Sequence, residues 1–365
     1  MNNYSPNQSL EGLVENIREW AKELGFSQVG ITNIDLNEHE QYLKKWLKQG
    51  YHGNMQYMNR AFPNRAKPRD LLPETCRIIS VRMDYLTPEK NGVDAISNPN
   101  KAFISRYALG RDYHKTVRKR LSILAKLISD RAKRGNYRAF VDSAPILERA
   151  IAEKAGLGWI AKNAMLINEQ AGSWFFLGEI YTDLPLPEDA PKLNKHCGTC
   201  TACLEKCPTN AFVKPFVLDA RKCISYLTIE NKGPIEESLR PLIGNRIFGC
   251  DDCQLVCPWN KFAPPTREDD FKPRHKLNDL NLVEAFLWDE ETFLRKTSGS
   301  AIRRIGYVLW LRNLAVALGN APTCEEIVSA LRFRLNFPSA LVREHVEWAL
   351  MQHNIRETKN AEFQN

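Results

Sequence analysis

The chain has 365 residues, of which 43% are hydrophobic and 26% are charged. This is the composition of a folded globular protein and not of a disordered one, and the length allows two or three packed domains. No apolar run approaches the roughly 18–20 residues of a membrane-spanning helix, which excludes such a segment. The formal charge of +8 permits a polyanionic partner such as nucleic acid, but a solvated surface slightly rich in lysine explains it equally well.

Helix and strand signals alternate along the first half of the chain. Apolar residues recur at helical spacing before Gly25 and again before Gly50, and glycine commonly follows the end of a helix. This alternation predicts helices that cover a sheet, and we expect the α+β class for the whole chain. The polar stretch from Pro88 to Asn100 predicts a surface loop. The other predicted elements are strands at Gln28 to Thr32, Ile78 to Met83 and Tyr137 to Val141, and a helix from about Tyr113 to Ala132.

Two changes of composition divide the chain. Pro185 to Lys195 is rich in proline and lacks periodicity, so it predicts a domain boundary. A cysteine-rich region extends from there to about Pro265. Apolar spacing within Ala301 to Leu318 then predicts the first of several short paired helices, which resemble units of an α-solenoid. The predicted domains are residues 1–185, 186–265 and 266–365.

Eight of the ten cysteines lie between Cys197 and Cys257. In a cytosolic protein, such a group of thiols indicates metal ligation or redox chemistry more than disulfides. The first four, ending at Cys207, have the spacing C-x₂-C-x₂-C-x₃-C-P of bacterial ferredoxins, in which the fourth Cys ligates the other cluster. The spacing therefore predicts a module with two [4Fe-4S] clusters.

The second cysteine run supplies only Cys250, Cys253 and Cys257, because Ile247 stands where a further ligand would be expected. Cys223, between the two runs, is the natural replacement. Eight thiols then form two sets of four by the crossing pattern of two-cluster ferredoxins. The predicted sets are Cys197, Cys200, Cys203 and Cys257 for one cluster, and Cys207, Cys223, Cys250 and Cys253 for the other.

Two structural zinc sites are the alternative, since zinc also accepts four thiolates. Zinc sites more commonly use paired C-x₂-C knuckles, so the spacing favours iron–sulfur clusters. Cys76 and Cys324 lie outside the runs and are expected to pack rather than to bind metal. The sequence has neither a G-x-G-x-x-G fingerprint nor a Walker-type loop, so we expect electrons to come from an external donor.

Asp142 lies at the end of a predicted strand. Ser143 and Pro145 follow it, and they predict a helix with Ser143 as its N-cap. In open α/β sheets, ligands usually bind at the carboxyl ends of strands. Burial against an apolar cofactor would raise the pKa of a carboxyl group from its ordinary value of about 3.9 and make it an acid at neutral pH. From position alone, however, a role as helix cap is the more common one.

These residues and several further segments resemble the epoxyqueuosine reductase family, which comprises cobalamin-dependent iron–sulfur enzymes of queuosine biosynthesis. The resemblance covers nearly the whole chain, and the order and number of the matching segments carry it. Besides the two cysteine runs, the matching segments are Tyr51–Met58, Ser105–His114, Val141–Ser143, Gly156–Asn163, Cys223–Tyr226, Ile302–Gly306 and Arg312–Ala315.

The resemblance implies an N-terminal α/β cobalamin-binding domain, a two-cluster ferredoxin-like module and a small HEAT-like helical cap. It also implies a reaction: the epoxide of epoxyqueuosine, at the wobble position of a tRNA anticodon, is reduced to the alkene of queuosine with loss of water. Two electrons pass through the clusters to cobalt, which attacks the substrate. A family of this kind places its substrate beside the cofactor and needs a proton donor there.

Opening an epoxide leaves a strongly basic alkoxide, so that donor must lie within hydrogen-bond reach of the oxygen. Asp142 matches the family's donor position, which favours this role over the helix cap. The D-x-H-x-x-G signature for a histidine below the cobalt is absent, because Val117 stands where its glycine is needed. Ala161 stands where relatives may carry glycine, a difference expected to be tolerated. By resemblance, the corrin contacts are Arg65, Ser105, Asp142, Asn163, Leu166, Leu177, Ser225 and Asp251.

A wobble base must enter a pocket beside the cofactor. We therefore expect it to leave the anticodon stack while basic residues bind the flanking phosphates. Isolated Lys and Arg side chains are usually only solvated, and Arg303 or Arg304 can instead pair with a carboxylate. The candidates for phosphate binding are Lys232, Arg240, Arg303 and Arg304.

Two other classes of protein share some of these features. A reductive dehalogenase also combines cobalamin with paired clusters, but typically carries a twin-Arg export signal, which Met1 to Trp20 lacks. A ferredoxin-type carrier needs only about 60 residues and leaves most of this chain unexplained. Met1 to Leu10 has no features of a secretion signal. We therefore expect a cytosolic, monomeric reductase with an external one-electron donor of flavodoxin or ferredoxin type.

Overall fold

The computed structural model describes residues 9–60, 62–88, 91–191 and 196–363. Among these residues, no helix is long and apolar enough to cross a membrane. The strands are β1 (Gln28–Thr32), β2 (Arg77–Asp84), β3 (Phe103–Ile104), β4 (Tyr137–Phe140), β5 (Trp159–Ile160), β6 (Leu166–Ile167), β7 (Phe175–Thr182), β8 (Phe212–Lys214), β9 (Val217–Leu218) and β10 (Arg246–Phe248). The α-helices are α1 (Leu10–Glu23), α2 (Asn37–Lys48), α3 (Gln56–Arg60), α4 (Phe62–Arg65), α5 (Pro68–Leu71), α6 (Asn91–Ser97), α7 (Tyr113–Ala132), α8 (Glu148–Lys154), α9 (Ala202–Glu205), α10 (Arg240–Ile243), α11 (Asp252–Leu255), α12 (Leu282–Leu287), α13 (Glu290–Lys296), α14 (Gly306–Asn320), α15 (Glu325–Phe333) and α16 (Ala340–Phe363).

The central sheet of the N-terminal part has the strand order β1-β2-β7-β4. Strands β2 and β7 are buried along nearly their whole length because helices cover both faces. Helices α1 and α7 pack on one face, around Ile17, Leu121 and Ile180. Helix α8 packs on the other, around Ile78 and Ile151. All neighbouring strands run antiparallel, so this part is α+β and the expected α/β arrangement is corrected.

Helix α7 positions two of the residues considered below. Its bounds confirm the prediction, and its N-cap Asp112 accepts a hydrogen bond from the His114 amide at 3.2 Å. Because a cap orders the first helical turn, Tyr113 and His114 have fixed positions at the start of the helix. Gly178 of β7 allows the helix to approach the sheet, since a Cβ atom there would lie 2.7 Å from Leu121 Cδ1.

The segment between β4 and α8 differs from the prediction. Ser143 does not cap a helix, because the Ala144 amide donates to the Val141 carbonyl at 2.7 Å and a turn precedes α8. Pro145 accounts for the delay, since a residue before proline is disfavoured in the helical conformation. Asp142 therefore lies in a turn, where its carboxyl group is available to α7.

Short elements carry the two cysteine runs. Strands β8 and β9 form a hairpin after the first run, and β10, before the second, pairs in parallel with β3. A π-helical turn, Tyr226–Glu230, follows Cys223, and such turns often lie at functional sites. The predicted loop from Pro88 to Asn100 contains α6, and its residues 89–90 lie outside the described part. The predicted boundary from Pro185 to Lys195 also falls partly outside it.

Helix α14 is the centre of the C-terminal helices. Nearly all of its residues are buried, including Arg312 and Asn313. Arg312 donates to three backbone carbonyls and Asn313 to two, all of them between residues 227 and 247. Since a buried charge is costly unless it is hydrogen-bonded, these bonds join the C-terminal helices firmly to the segment between the cysteine runs.

The largest apolar cluster also joins regions that are distant in sequence. It contains residues from 102–109, 220–248 and 277–349. The helical cap therefore packs on the cysteine module and on β3 rather than standing apart. The division into domains 1–185, 186–265 and 266–365 stays a prediction, and extensive packing crosses both of its boundaries.

Candidate active site and cluster sites

Burial and neighbouring groups distinguish two sets among the seven thiols of the two runs and Cys223. In the first group, Cys197 and Cys257 pack against one small apolar cluster around Trp159. Burial raises the pKa of Cys203 to about 11, and the other three thiols of this group shift it in the same direction. A thiol shifts the pKa of another thiol only when the two lie close together. The first thiol group consists of Cys197, Cys200, Cys203 and Cys257.

The second group is more deeply buried. Cys223 and Cys250 pack against the apolar core of the helical cap, and the Ser225 amide bonds to Cys223. Burial raises the pKa of Cys253 well above its ordinary value, with Cys223 as the next contribution. Cys203 also contributes, so the two groups adjoin. Cys207 also acts on Cys253, and Cys250 packs on the same apolar core as Cys223, so we call Cys207, Cys223, Cys250 and Cys253 the second thiol group.

Charged side chains support the loops that carry these thiols. Lys162 Nζ donates to two carbonyls of the first run at 2.6 and 2.9 Å. Arg246 binds Asp252 through two hydrogen bonds of 2.6 Å, and Asp252 accepts from the Cys250 thiol at 2.8 Å. Two adjoining sets of four soft ligands fit two four-iron clusters.

The two remaining cysteines lie apart from both groups. Cys76 is partly buried, and its thiol donates to the Asp183 carbonyl at 3.2 Å. Cys324 is exposed at the start of α15, so the expectation that it packs is wrong for this residue. Its position at a helix N-cap turns the side chain away from the apolar face of α15.

Asp142 belongs to a chain of hydrogen bonds at the start of α7. One of its carboxylate oxygens accepts from the Tyr113 hydroxyl, and the other lies 2.8 Å from His114 Nε2. His114 Nδ1 lies 2.6 Å from Asp112, which also accepts from Arg304 at 2.8 Å. This series of hydrogen bonds thus runs from Arg304 in the helical cap to the turn that carries Asp142.

Hydrogen bonds set the charges in this chain. Burial opposes a charge on His114, but its bonds to Asp112 and Asp142 outweigh burial and raise its pKa to about 9. Burial also opposes ionisation of Asp112, yet the hydrogen bond from His114 and the charge of Arg304 lower its pKa to about 2. His114 is therefore a cation at neutral pH. Its Nε2 faces both Asp142 Oδ1, at 2.8 Å, and Arg304 Nη1, at 3.1 Å.

A pocket opens beside Asp142, and its wall is mainly aliphatic and aromatic. Besides Asp142, two predicted corrin contacts, Leu166 and Leu177, line it. Arg65, another predicted contact, is buried, and its guanidinium carbon lies 5.9 Å from the centre of the Tyr57 ring. Among the described residues, Arg65 Nε has no hydrogen-bond partner. The pocket is lined by Tyr113, Asp142, Glu148, Arg149, Met165, Leu166, Ser173, Phe175, Phe176 and Leu177.

Three further predicted corrin contacts adjoin the second thiol group. Ser105 Oγ donates to the buried Asp251 carboxylate at 2.5 Å, and Asn163 donates to a backbone carbonyl of that group at 3.2 Å. Burial raises the pKa of Tyr107, and the charges of Asp251 and Asp142 raise it further. Both carboxylates therefore act on Tyr107. An apolar wall with polar groups at its rim, one of them an unpaired buried donor, has the polarity expected of a site for a ring with apolar faces and polar side chains.

Two carboxyl groups next to Asp142 were not predicted. Glu148 lines the pocket, and burial followed by the charge of Asp142 raises its pKa to about 8. Glu179 of β7 is fully buried, and burial followed by Glu148 raises its pKa well above the ordinary value. The only sequence signal for Glu179 is an acidic residue within an otherwise apolar strand. Glu148 has no such signal.

The four predicted phosphate-binding residues differ in their surroundings. Arg240 is 2% exposed, donates to a backbone carbonyl at 2.8 Å and pairs with Glu344. The prediction is therefore wrong for Arg240, because the helical cap packs over it. Arg304 is half-exposed but pairs with the hydrogen-bonded chain around Asp142. Lys232 and Arg303 are exposed, as a phosphate contact requires.

A cleft beside the start of α7 has cationic walls that were also not predicted. Two of its arginines, Arg111 and Arg120, pair with carboxylates of the segment 268–270. Lys115 and Lys119 line the same cleft and are exposed. Four residues apart on one helix, they share a face. The run of basic residues from 115 to 120 in the sequence could have indicated this surface.

Comparisons with known proteins agree with this geometry. Residues 196–260 match a family model described as a 4Fe-4S double cluster binding domain, and residues 65–143 match one described as epoxyqueuosine reductase QueG, DUF1730. The epoxyqueuosine reductase of Pseudomonas aeruginosa is 58% identical over 93% of this chain and 94% of its own length. These matches cover both the N-terminal part and the cysteine module.

Two solved structures have a similar fold. One is a crystal structure of epoxyqueuosine reductase with a tRNA-Tyr epoxyqueuosine-modified stem loop; its TM-score is 0.87 at 28% identity, over 94% of this chain and 91% of that one. The other is epoxyqueuosine reductase from Bacillus subtilis, in which the loop of a catalytic Asp is swung out of the active site. Its TM-score is 0.85 at 28% identity, over 94% and 91% of the two chains.

The fold and the thiol groups define an iron–sulfur protein with a double [4Fe-4S] module beside a mainly apolar pocket. With 58% identity over nearly its whole length, the chain belongs to the epoxyqueuosine reductase family. The family expected from the sequence motifs is thereby confirmed.

Proposed function

We propose that this chain reduces epoxyqueuosine to queuosine at the wobble position of tRNA anticodons. The observation that carries the proposal is the position of Asp142, 2.8 Å from His114 Nε2, in a pocket beside a double-cluster module. A relative's crystal structure with an epoxyqueuosine-modified stem loop supports the choice of substrate. In the net reaction, the epoxide takes up two electrons and two protons and gives an alkene and water.

The two thiol groups are the proposed cluster ligands. Because the last thiol of each run belongs to the group formed by the other, the grouping follows the crossing pattern of two-cluster ferredoxins. Cys223 then completes the second site from outside the runs. The first group includes the exposed Cys200, whereas the second adjoins Asn163 and Asp251 beside the pocket. Because the first group is nearer the surface and the second is nearer the pocket, we infer that electrons enter at the first group and pass from the second to the pocket.

Cobalamin is the proposed second cofactor. When bound, the cobalamin and the clusters supply the reducing electrons and the metal centre that acts on the substrate. The apolar wall of the pocket would hold the face of the ring, and the unpaired Arg65 Nε would donate to a group at its edge. The residues proposed to hold cobalamin are Arg65, Ser105, Asp142, Asn163, Leu166, Leu177, Ser225 and Asp251.

Asp142 is the proposed proton donor to the epoxide oxygen. Tyr113 and His114 orient its two carboxylate oxygens, and the His114–Asp142 pair holds the proton to be transferred. A donor within hydrogen-bond reach is needed because the oxygen becomes strongly basic as the ring opens. Asp142 lies in a turn rather than in a helix, which agrees with the loop position of the catalytic Asp in the Bacillus subtilis relative.

The tRNA would bind across the start of α7 and the helical cap. Lys115 and Lys119 line a cationic cleft close to the Asp142 chain, and Lys232 and Arg303 are exposed. Backbone contacts of this kind position a nucleic acid without reading its bases. Arg304 joins the two regions, since it pairs with Asp112 at the start of α7. The wobble base would leave the anticodon stack to reach the pocket.

An external carrier is the proposed source of electrons. The sequence contains no dinucleotide fingerprint, so we infer a one-electron donor of flavodoxin or ferredoxin type. The chain would act as a monomer in the cytosol, where tRNA is modified. A single chain holds all eight thiols and the whole Asp142 network, which is consistent with a monomeric enzyme.

Nucleoside analysis of tRNA tests the proposed function directly. A bacterial strain that lacks its own epoxyqueuosine reductase is complemented with this chain, and its tRNA is digested and separated. We expect epoxyqueuosine to disappear and queuosine to appear. Complementation with Asp142→Asn is the matched control and should leave epoxyqueuosine in place. Persistence of epoxyqueuosine with the unaltered chain, expressed and loaded with iron, would reject the proposal.

A further inference from the structure

The first thiol group lies at the surface of the molecule. Cys200 is exposed, whereas the second thiol group packs against the core of the helical cap. A carrier protein that approaches the chain therefore meets the first group before the second. A docking site for a carrier protein is therefore expected on the surface around Cys200.

Exposed apolar and basic side chains surround this position. Val213, Phe216 and Phe262 expose 54%, 44% and 52% of their surface. Single exposed apolar residues are ordinary, but three around one redox site form an unusual patch. Three exposed lysines accompany them. We call the surface formed by Val213, Phe216, Phe262, Lys206, Lys214 and Lys261 the cluster rim.

Contacts connect two of these residues, Phe216 and Phe262, to the first thiol group by separate routes. In the first, the Phe216 amide donates to the Lys162 carbonyl at 2.9 Å, and Lys162 Nζ in turn bonds the Cys200 carbonyl. In the second, the Phe262 ring lies 6.0 Å from Trp259, which packs with Cys197 and Cys257. The cluster rim therefore adjoins the first thiol group through both the Phe216 and the Phe262 segments.

The charge of this region is one-sided. Segments 196–216 and 258–263 contain three lysines, Lys206, Lys214 and Lys261, against a single carboxylate, Glu205. Transient redox complexes have small interfaces, and long-range attraction between opposite charges accelerates their formation. A basic rim around a small apolar patch is complementary to a partner with an acidic rim around its own redox centre.

We propose that the cluster rim is the docking surface for a small acidic one-electron carrier protein. The proposal rests on the proposed function, because that function needs electrons from outside. Each encounter passes one electron from the reduced carrier to the cluster held by the first thiol group. The carrier is oxidised by one electron and the cluster is reduced by one, with no bond formed or broken. The apolar residues exclude water at the contact, and the lysines guide the approach.

Stopped-flow reduction of the iron–sulfur clusters tests the proposal without tRNA or cobalamin. Reduced flavodoxin, an acidic carrier, is mixed anaerobically with the cluster-loaded full chain, and cluster bleaching is followed at several salt concentrations. We expect Lys214→Glu/Lys261→Glu to lower the second-order rate constant about tenfold or more at low salt and to weaken its salt dependence. Reduction by dithionite, a small ion that needs no docking surface, should keep most of its rate and its full amplitude.

A second double variant controls for net charge. Lys22→Glu/Lys126→Glu changes the charge by the same amount on α1 and α7, and should leave reduction by flavodoxin near the unaltered rate. Phe216→Ala/Phe262→Ala should weaken flavodoxin binding in calorimetry without changing the salt dependence. Equal rate losses in the two lysine variants, or none in either, would overturn the proposal. Since no tRNA is present, these results stand whether or not the chain converts epoxyqueuosine.

Discussion

The carboxyl group of Asp142 is held at both oxygens, by Tyr113 and by His114. Its orientation therefore depends on α7 as well as on the turn that carries it. His114 is in turn fixed by Asp112, so the proposed proton donor is positioned by residues whose own places are set by a helix cap. At the scale of single residues, the proposed function rests on these hydrogen bonds and on the eight thiols.

Replacing Asp142 by Asn should separate catalysis from structure. The amide cannot donate a proton to an alkoxide, so we expect turnover to fall by about 10²–10⁴-fold. Iron content and cobalamin uptake should stay unchanged, which absorption spectroscopy of the anaerobic protein measures. Ser143→Ala, in the same turn, is the control and should keep near-normal turnover. If Asp142→Asn also kept it, Asp142 would not be the donor.

His114 should give the protein a characteristic pH dependence. Its pKa is about 9 in the folded chain against 6.5 ordinarily, so its pairing stabilises the fold fully below about pH 6.5. That contribution is lost as pH rises through about 9. His114→Gln should therefore lower unfolding free energy by about 1–3 kcal/mol at pH 6. Denaturant unfolding at pH 6 and above pH 9 measures this, and an equal deficit at both pH values would contradict it.

Cys223 tests the ligand assignment. If it completes the second site, Cys223→Ala should lose about four of the roughly eight irons that two clusters hold. Iron analysis and the visible absorption band report the loss. Cys76→Ala and Cys324→Ala are matched controls that should keep all the iron, since neither thiol lies in a group. Full iron in Cys223→Ala would instead point to another ligand.

At the scale of elements, α7 and α14 bring distant segments together. Helix α7 presents Tyr113 and His114 to the pocket and lysines to the adjoining cleft. Helix α14 carries Arg312 and Asn313 into contact with the segment that contains Cys223. One helix therefore connects the pocket to the proposed tRNA surface, and the other connects the helical cap to the proposed second cluster site.

The exposed lysines of α7 should contribute to tRNA binding. If Lys115 and Lys119 each contact a phosphate, Lys115→Ala/Lys119→Ala should reduce the salt slope of stem-loop binding by about 1.4, at roughly 0.7 per contact for single-stranded loops. Fluorescence anisotropy at several salt concentrations measures the slope. Turnover at saturating stem-loop should change little. Lys214→Ala/Lys261→Ala, on the cluster rim, is the control, and an equal effect of both pairs would place the tRNA elsewhere.

Arg312 should be essential for joining the cap to the cysteine module. Arg312→Met keeps most of the side-chain volume but leaves three buried carbonyls without their donor. Unsatisfied buried groups cost about 1–3 kcal/mol each, so we expect several kcal/mol of lost stability and weaker retention of the second cluster. Thermal unfolding and iron analysis measure these. The exposed Arg332→Met on α15 is the control and should change both little.

At the scale of the whole molecule, local signals predicted some features and missed others. The bounds of β1 and α7 follow from apolar spacing and from stop and cap residues, because these act within a few positions. Seven thiols of the two proposed sets follow from spacing within the runs, and Cys223 follows from the ligand that the second run lacks. Arg240, by contrast, resembles a surface cation in sequence and is buried only because a helix more than a hundred residues later packs over it. Likewise, only the folded chain brings His114 to Asp142.

The C-terminal helices also determine when the protein can be assembled. The segment that supplies Cys223 is held by α14, whereas the proposed first thiol group is already complete at Cys257. The first site can therefore form before the second is held in place, because the ribosome completes α14 only after some 320 residues have been made. We expect the second cluster to be inserted last, into a nearly finished polypeptide, so a chain that ends before α14 would retain less iron than the full chain.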